Sequence, residues 1–254
     1  MHKSNYLPIT IGLGTIGLAT VGYLLAKDYL TPQKPRLALA RGEQLATKPL
    51  SVLAISAHPD DLEFFAGGFL HRLALAGSQV IVIDVTKGEK STNVENLREI
   101  RQKEQEQAAN IMGYRNLYFL HLPDLGVQIA DPAKYLADIW KKTQPDMVLT
   151  FDPEHPLHFI KHPDHRAVGA AIQSLVCDLD FKGTVIYYGT SLPNVSIDIT
   201  DVIETKVEAI LAHKSQIRLS PPVYARLIKG YHRLTACRHA RYVEAFHIVH
   251  SKRS

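Results

Sequence analysis

From residue 50 onward, short apolar segments alternate with longer amphipathic ones. The apolar segments predict β-strands at 50–56, 79–86, 117–120, 147–151 and 184–189. The amphipathic segments predict helices at about 61–76, 93–112, 132–143 and 163–177. This alternation is typical of a parallel sheet with helices on both faces, and the continuous apolar character of the first two strands favours burial on both sides. The sequence therefore predicts a Rossmann-like, doubly wound three-layer α/β/α domain with a mainly parallel sheet.

The N-terminal part of the chain has a different pattern. The segment "YLPITIGLGTIGLATVGYLLA" (6–26) contains no charged residue, and one bilayer crossing needs about 20 such residues. It includes "GLGTIG" (12–17), which matches a dinucleotide-binding pattern, but no second strand ending in an acid follows at the expected distance. A cleaved signal peptide is the other alternative. We predict one transmembrane helix within residues 1–30, a linker at 31–48 and a folded domain at 49–254.

Charge and cysteine usage bear on localisation and partners. One lysine precedes the apolar run, whereas Lys27, Lys34, Arg36 and Arg41 follow it closely, so the positive-inside tendency predicts a single-pass protein with its domain in the cytoplasm. The two cysteines are far apart and have no C-x-x-C spacing, which favours free thiols in a reducing compartment. The net charge is only +4 and no basic stripe with interleaved aromatics occurs. A nucleic-acid partner is therefore not expected.

Two polar motifs follow predicted strands. "AHPDD" (57–61) follows the first strand, and "HPDH" (162–165) lies shortly after the fourth. Because the carboxyl ends of parallel strands share one edge of a sheet, both motifs are expected at that edge. Each motif alone also suits a turn or a helix cap. Together, His58, Asp61 and His165 form a set of two imidazoles and one carboxylate, which is typical of a catalytic zinc site with an open position.

The remaining residues of the two motifs suit proton transfer. Asp60 lies next to a predicted ligand and is placed to act as general base for an attacking water. His162 is then free to polarise or protonate a carbonyl group, with Asp164 orienting it or balancing its charge. This combination predicts metal-assisted hydrolysis of an amide or ester.

Longer segments resemble one known family. The quoted matches are "AHPDDLEFFAGGFLHRLALAGSQVIVIDVTKGE" (57–89), "NLREIRQKEQEQAANIMG" (96–113), "HLPDLGV" (121–127), "HPDHRAVG" (162–169), "KVEAILAHKSQI" (206–217) and "YVEAF" (242–246). They resemble the LmbE-like / PIG-L family of zinc-dependent N-acetylglucosamine deacetylases. The resemblance implies zinc, or another divalent metal, and the following roles: metal ligands His58, Asp61 and His165; general base Asp60; carbonyl assistance by His162 and Asp164; substrate contact by Arg98.

The resemblance also implies a substrate class. It suggests removal of the acetyl group from an N-acetylglucosamine-containing conjugate, which in the PIG-L branch is a membrane glycolipid. The alternative is a non-catalytic sugar- or glycolipid-binding protein on the same fold. Glu63 is interpreted either as support for the site or as a helix-surface acid, and His213 either as a site neighbour or as a buried structural residue. His155 and His158 are expected to be solvated.

Overall fold

The computed structural model describes residues 48–91, 94–157, 162–234 and 240–250. The transmembrane helix predicted within residues 1–30 and nearly all of the linker lie outside these ranges, so both remain predictions, as does the domain boundary at residue 49. No helix in the described ranges is long and apolar enough to cross a membrane.

The described strands form one sheet of seven. They are β1 (Ser51–Ser56), β2 (Gln79–Thr86), β3 (Asn116–Leu122), β4 (Met147–Phe151), β5 (Thr184–Tyr188), β6 (Val195–Asp198) and β7 (Val243–His250). Their order is β3-β2-β1-β4-β5-β7-β6. Strands β1 to β5 are parallel, and β7 pairs antiparallel with both β5 and β6. The mainly parallel three-layer fold is therefore confirmed, with an antiparallel end that the apolar pattern did not reveal.

Helices cover the sheet. They are α1 (Asp61–Phe65), α2 (Gly67–Leu75), α3 (Leu97–Met112), α4 (Ala130–Thr143), α5 (Pro163–Asp178), α6 (Ile203–Ala212) and α7 (Pro221–Leu234), with a 3₁₀ turn at Lys214–Gln216. The single helix predicted at 61–76 is wrong, because Ala66 leaves the helical region (φ −136°) and divides it in two. The helix predicted from residue 93 begins only at Leu97, because Asn96 is left-handed (φ 57°).

A buried ion pair joins the C-terminal elements to the rest of the core. Lys206 Nζ lies 2.6 Å from Glu244 Oε1 and donates to the carbonyl of Phe64, also at 2.6 Å. The Glu244 carboxylate accepts from the backbone N–H groups of Gly68 and Phe69 at the start of α2, each at 2.8 Å. Both charged side chains are fully buried, and burial lowers the pKa of Lys206. The pair thereby ties α6 and β7 to α2.

The sheet order places a topological switch point between β1 and β4, since successive crossovers leave β1 towards opposite sides of the sheet. Helix α5 packs closely on the end of β4, because Gly169 has no side chain: a Cβ there would lie 2.5 Å from the carbonyl oxygen of Phe151. The two polar motifs follow the carboxyl ends of these same strands. The fold therefore brings them to the position where open α/β sheets bind ligands.

Candidate active site

The first motif forms a strained turn that helix α3 holds in place. Asp60 has φ 99°, a value that non-glycine residues rarely adopt. Its backbone N–H donates to Gln105 Oε1 at 3.1 Å. Arg101 donates to the carbonyl of Pro59 and, at 3.2 Å, to Asp60 Oδ2. Arg101 and Gln105 are one turn apart and buried, so a single face of α3 fixes the turn that presents Asp60.

Three donor groups from the two motifs meet beside this turn. His58 Nδ1 lies 3.2 Å from His165 Nε2. Asp61 Oδ1 lies 3.3 Å from His165 Nε2, and Asp61 Oδ2 lies 3.5 Å from His58 Nδ1. Tetrahedral donors at the usual zinc distances of about 2.0–2.1 Å are about 3.3–3.4 Å apart. The spacing and chemistry of this donor set therefore fit a divalent metal such as zinc.

The two histidine rings are oriented by residues outside the donor set. The His165 ring stacks on Phe151, with ring centroids 3.9 Å apart and planes inclined by 10°. The Nε2 atom of His58 lies 3.1 Å from Asp124 Oδ1, and Asp124 Oδ2 accepts from the backbone N–H of Lys90 at 2.9 Å. A carboxylate on the outer nitrogen of an imidazole keeps the proton there and leaves the other nitrogen to bind a metal. Asp124 thus supports His58 Nδ1 as a metal donor.

The surroundings of His58 favour a positive charge. Burial opposes its charged form, but hydrogen bonds to Asp124, Asp164 and Asp61 raise the pKa of His58 well above its usual value. Burial alone would raise the pKa of Asp61, but the charge and the hydrogen bond of His165 hold this pKa far below the ordinary range. A bound metal cation would interact favourably with the carboxylates of Asp61, Asp124 and Asp164 in the same way as this positive charge.

Other donor sets overlap with this one. Donor atoms of His58, His162 and His165 lie within 4.8 Å of one another, and so do those of His58, Asp124, His162 and Asp164. In the second set the carboxylates also accept hydrogen bonds from the backbone, as Asp61 Oδ2 does from the N–H group of His58 at 2.8 Å. Asp164 accepts from the N–H groups of Leu125 (2.7 Å) and Val127 (3.3 Å), and Asp124 accepts from Lys90. Among the described residues the backbone thus engages both carboxylate oxygens of Asp164 but only the Oδ2 atom of Asp61.

His162 presents a neutral N–H group to the site. It caps helix α5, and its Nδ1 atom accepts from the backbone N–H of Asp164 at 3.3 Å. Burial, with the charges of His58 and His165, lowers the pKa of His162 to about 4. The ring is therefore neutral near pH 7 with its proton on Nε2. Asp164 orients His162 through its backbone, whereas its carboxylate lies 3.5 Å from His58 Nε2.

The predicted substrate residue Arg98 does not reach this cluster. Its side chain is 48% exposed and contacts Glu89 Oε1 at 3.3 Å. The same oxygen accepts from the backbone N–H of Asp124 at 3.2 Å, so Arg98 lies at the margin of the site. The arginine that contacts the Asp60 turn is Arg101. Sequence reasoning did not single it out, although a basic residue on the buried stripe of α3 is a recognisable signal.

Glu63 and His213 lie behind the turn. Glu63 is fully buried and accepts from Gln105 Nε2 at 3.1 Å, so the helix-surface interpretation is wrong. His213 is 1% exposed and its Nε2 atom lies 3.4 Å from Glu63 Oε2. Glu63 therefore orients the amide that holds Asp60. His155 has a side chain 45% exposed, as expected for a solvated residue, and His158 lies outside the described ranges.

Asp124 was also missed from the sequence. It follows β3 in "HLPDLGV", and β3 is another parallel strand with its carboxyl end at the same edge. The strand-end rule that located the first two motifs also applies to this residue.

Comparison with known proteins assigns the chain to a family. The PIG-L family, described as GlcNAc-PI de-N-acetylase, matches residues 53–176. The diacetylchitobiose deacetylase of Thermococcus kodakarensis is 30% identical over 187 residues, which cover 65% of this chain and 69% of that protein. The chain belongs to the PIG-L family.

Further PIG-L relatives have related names. A probable N-acetyl-alpha-D-glucosaminyl L-malate deacetylase 2 of Bacillus cereus is 29% identical over 187 residues, covering 65% of this chain and 83% of that one. Among solved structures, the N,N'-diacetylchitobiose deacetylase of Pyrococcus horikoshii, in complex with its inhibitor MPG, superposes with a TM-score of 0.73. It has 29% identity and covers 92% of each chain. This structural match extends well beyond the two motifs.

Proposed function

We propose that this protein is a metal-dependent hydrolase that removes the acetyl group from an N-acetylglucosamine unit. The observation that carries the proposal is the three-donor set of His58, Asp61 and His165 beside the strained Asp60 turn. The names of its PIG-L relatives, which are deacetylases of N-acetylated amino sugars, support the substrate class.

His58, Asp61 and His165 would hold the metal, with zinc as the expected ion. When bound, the ion would activate a water and polarise the amide carbonyl. Asp124 keeps the His58 ring in the tautomer that exposes Nδ1, and Phe151 keeps the His165 ring in its plane.

Asp60 would act as the general base. Its Oδ2 atom is engaged by Arg101, so Oδ1 is the oxygen that takes the proton of the attacking water. Burial raises the pKa of Asp60, which makes its carboxylate a stronger base. As the carbon–nitrogen bond breaks, the same residue would return this proton to the amine that leaves. Acetate and the free amino sugar are the products.

His162 would stabilise the charge that develops on the carbonyl oxygen. Its pKa of about 4 leaves it neutral at physiological pH, so it acts through the Nε2–H group as a hydrogen-bond donor. Arg98, at the margin of the site, is proposed to contact more distant parts of the substrate.

Acetate release tests the activity directly. Purified full-length protein should release acetate from N,N'-diacetylchitobiose or another N-acetylglucosaminyl substrate, and a chelator should abolish this. A protein that binds the sugar but releases no acetate with metal present would support the non-catalytic alternative instead.

Metal content tests the ligand set independently of activity. The protein should contain one zinc per chain, and His165→Ala should lose most of it. His155→Ala is the matched control, because this imidazole follows the same strand but lies outside the donor set. Full zinc retention by both His58→Ala and His165→Ala would contradict the assignment.

The remaining proposals concern the membrane. The uncharged run at 6–26 would anchor the protein, with the domain in the cytoplasm, and the substrate would then be lipid-linked. A full-length protein that high salt alone releases from membranes would contradict the anchor.

A further inference from the structure

The C-terminal part of the chain carries a one-sided charge. Between Glu208 and Glu244 the sequence contains no acidic residue but seven basic ones: Lys214, Arg218, Arg226, Lys229, Arg233, Arg238 and Arg241. The whole chain has 29 basic and 25 acidic residues. A region so biased is therefore unusual for this protein, and it includes all of helix α7.

Helix α7 has one buried face and one exposed face. Tyr224, Ile228 and His232 are buried at spacings of four residues, which is one side of a helix. The opposite side is exposed and contains Arg226 and Arg233. Neither arginine forms an ion pair with any described residue, in contrast to Lys229, which lies 2.6 Å from Glu204 Oε1.

Aliphatic side chains lie among these charges. Leu219, just before the helix, is 44% exposed, and Val223 in its first turn is 38% exposed. Arg218 and Lys214 are exposed beside them. We define the basic–apolar surface as Lys214, Arg218, Leu219, Val223, Arg226 and Arg233.

This surface borders the candidate active site. Tyr224 of α7 and Ile217 line the same cavity as Asp60. At the other end of the helix, His232 Nδ1 lies 3.0 Å from the carbonyl of Val243, at the start of β7. Because β7 is antiparallel to β5, it begins at the edge where the parallel strands end. Helix α7 therefore lies along the edge that carries the site.

We propose that the basic–apolar surface docks onto an anionic lipid bilayer. Arginines that surround exposed aliphatic groups suit this occupant, because the cations attract acidic headgroups while the apolar groups enter the interface. Single-stranded nucleic acid is less suited, since its bases stack on exposed aromatic rings, whereas Tyr224 on this helix is buried and Tyr231 is half-buried against the core. The docking does not depend on the proposed deacetylase activity. Only its use, presenting a lipid-linked substrate to Asp60, rests on that activity.

The path of the chain indicates what the basic–apolar surface would do. Strand β1 begins at Ser51, at the edge of the sheet opposite the site. A membrane segment at 6–26 would thus hold the domain by its far edge. Residues 27–47 can span at most about 70 Å, and a domain of this size is about 40 Å across. The connection is therefore long enough for the site edge to turn towards the bilayer, and the basic–apolar surface would keep it there.

A fluorescent label on α7 tests the contact. Full-length protein carries Cys177→Ser, Cys237→Ser and Val223→Cys, labelled with an environment-sensitive dye. It is combined with vesicles of phosphatidylcholine, with or without roughly one third phosphatidylglycerol, and quenching by nitroxide lipids is measured. The matched control label replaces Leu75, which is 69% exposed and is the last residue of α2, at the opposite edge of the sheet.

We expect quenching at position 223 in anionic vesicles and none at position 75. Each basic residue near an anionic surface contributes roughly fivefold to binding, so the triple variant Arg218→Gln, Arg226→Gln, Arg233→Gln should lower the docked-to-undocked ratio by about 100-fold. High salt should also lower the docked-to-undocked ratio. Acetate release from a water-soluble substrate should not change in this variant.

Several results would overturn the proposal. They are equal quenching at positions 223 and 75, quenching of equal strength in uncharged vesicles, or a surface that binds an oligonucleotide but not anionic vesicles. Absence of acetate release with normal quenching would count against the proposed activity alone.

Discussion

Gln105 offers a sharp test of how the fold prepares the site. It is fully buried, accepts from the strained Asp60 N–H group at 3.1 Å, and donates to Glu63 Oε1 at 3.1 Å. Gln105→Leu keeps a side chain of similar size and removes both hydrogen bonds. We expect a loss of stability and a larger loss of turnover, with little change in metal content.

The stability loss follows from the groups left without partners. Each buried unpaired polar group costs about 1–3 kcal/mol, and two are created. The left-handed conformation of Asp60 (φ 99°) itself costs about 1–3 kcal/mol, so relaxation of the turn recovers part of the loss. The free energy of unfolding should therefore fall by about 2–4 kcal/mol, measured by urea titration.

The turnover loss follows from the position of Asp60. When the turn relaxes, the carboxylate moves away from the reacting water, and a displacement of about 1 Å can cost about 100-fold in rate. We expect kcat to fall about 30- to 100-fold with KM within about threefold of the wild-type value. Zinc content should stay near wild type, because Gln105 bonds to none of the three donor residues.

Two further variants serve as matched controls. Gln107→Leu makes the same change at an exposed position of α3 and should leave kcat unchanged. Glu63→Gln still offers an oxygen to Gln105 and should reduce kcat by less than Gln105→Leu does. If Gln105→Leu folds and turns over at the wild-type rate, or if Gln107→Leu is equally impaired, Gln105 does not position Asp60.

Three further outcomes are expected. Asp60→Asn should keep its zinc while kcat falls about 10²- to 10⁴-fold. Asp61→Asn should lose zinc affinity and regain activity in excess zinc. Metal analysis and kinetics of both variants test this, and the opposite pattern would show that the two aspartates have the opposite roles. Lys206→Met should lower the free energy of unfolding in urea by about 3–5 kcal/mol, because it leaves the Glu244 charge buried and without its ion-pair partner. Adding Glu244→Gln should recover part of that loss. A loss below about 1 kcal/mol would contradict the buried pair. Burial and the charge of Lys206 hold the pKa of His232 well below 6.5, so below that pH the unfolded chain binds a proton that the folded one does not. Stability should then fall by about 1.4 kcal/mol per pH unit on acidification, and His232→Gln should unfold with a shallower pH dependence.

Much of the architecture could be predicted from the sequence because parallel strands buried on both faces are continuously apolar. The predicted bounds of the five parallel strands agree with the observed ones to within two residues. The two motifs at 57–61 and 162–165 follow two of these strands, and strand direction alone places them at one edge. The sequence by itself therefore predicts that His58, Asp61 and His165 lie together, as they do in the structure.

The C-terminal elements were not assigned from the sequence. Strand β6 has only four residues, Val195–Asp198, and β7 runs opposite to the parallel strands. Helix α7 exposes Val223 and buries His232, so its apolar pattern is irregular. Only pairing with β5 and packing against α6 and β7 decide these elements.

Tertiary structure also decided which polar residues serve the site. In the sequence, Arg98 and Arg101 are equivalent basic residues on one helix. In the fold Arg101 lies one turn further along α3, where its side chain is buried and reaches Asp60, whereas the exposed Arg98 at the start of the helix reaches Glu89. Likewise, Asp124 supports His58 only because β3, β2 and β1 are neighbours in the sheet. Strand endings identify residues that share an edge, but the direction of each side chain depends on packing between elements distant in sequence.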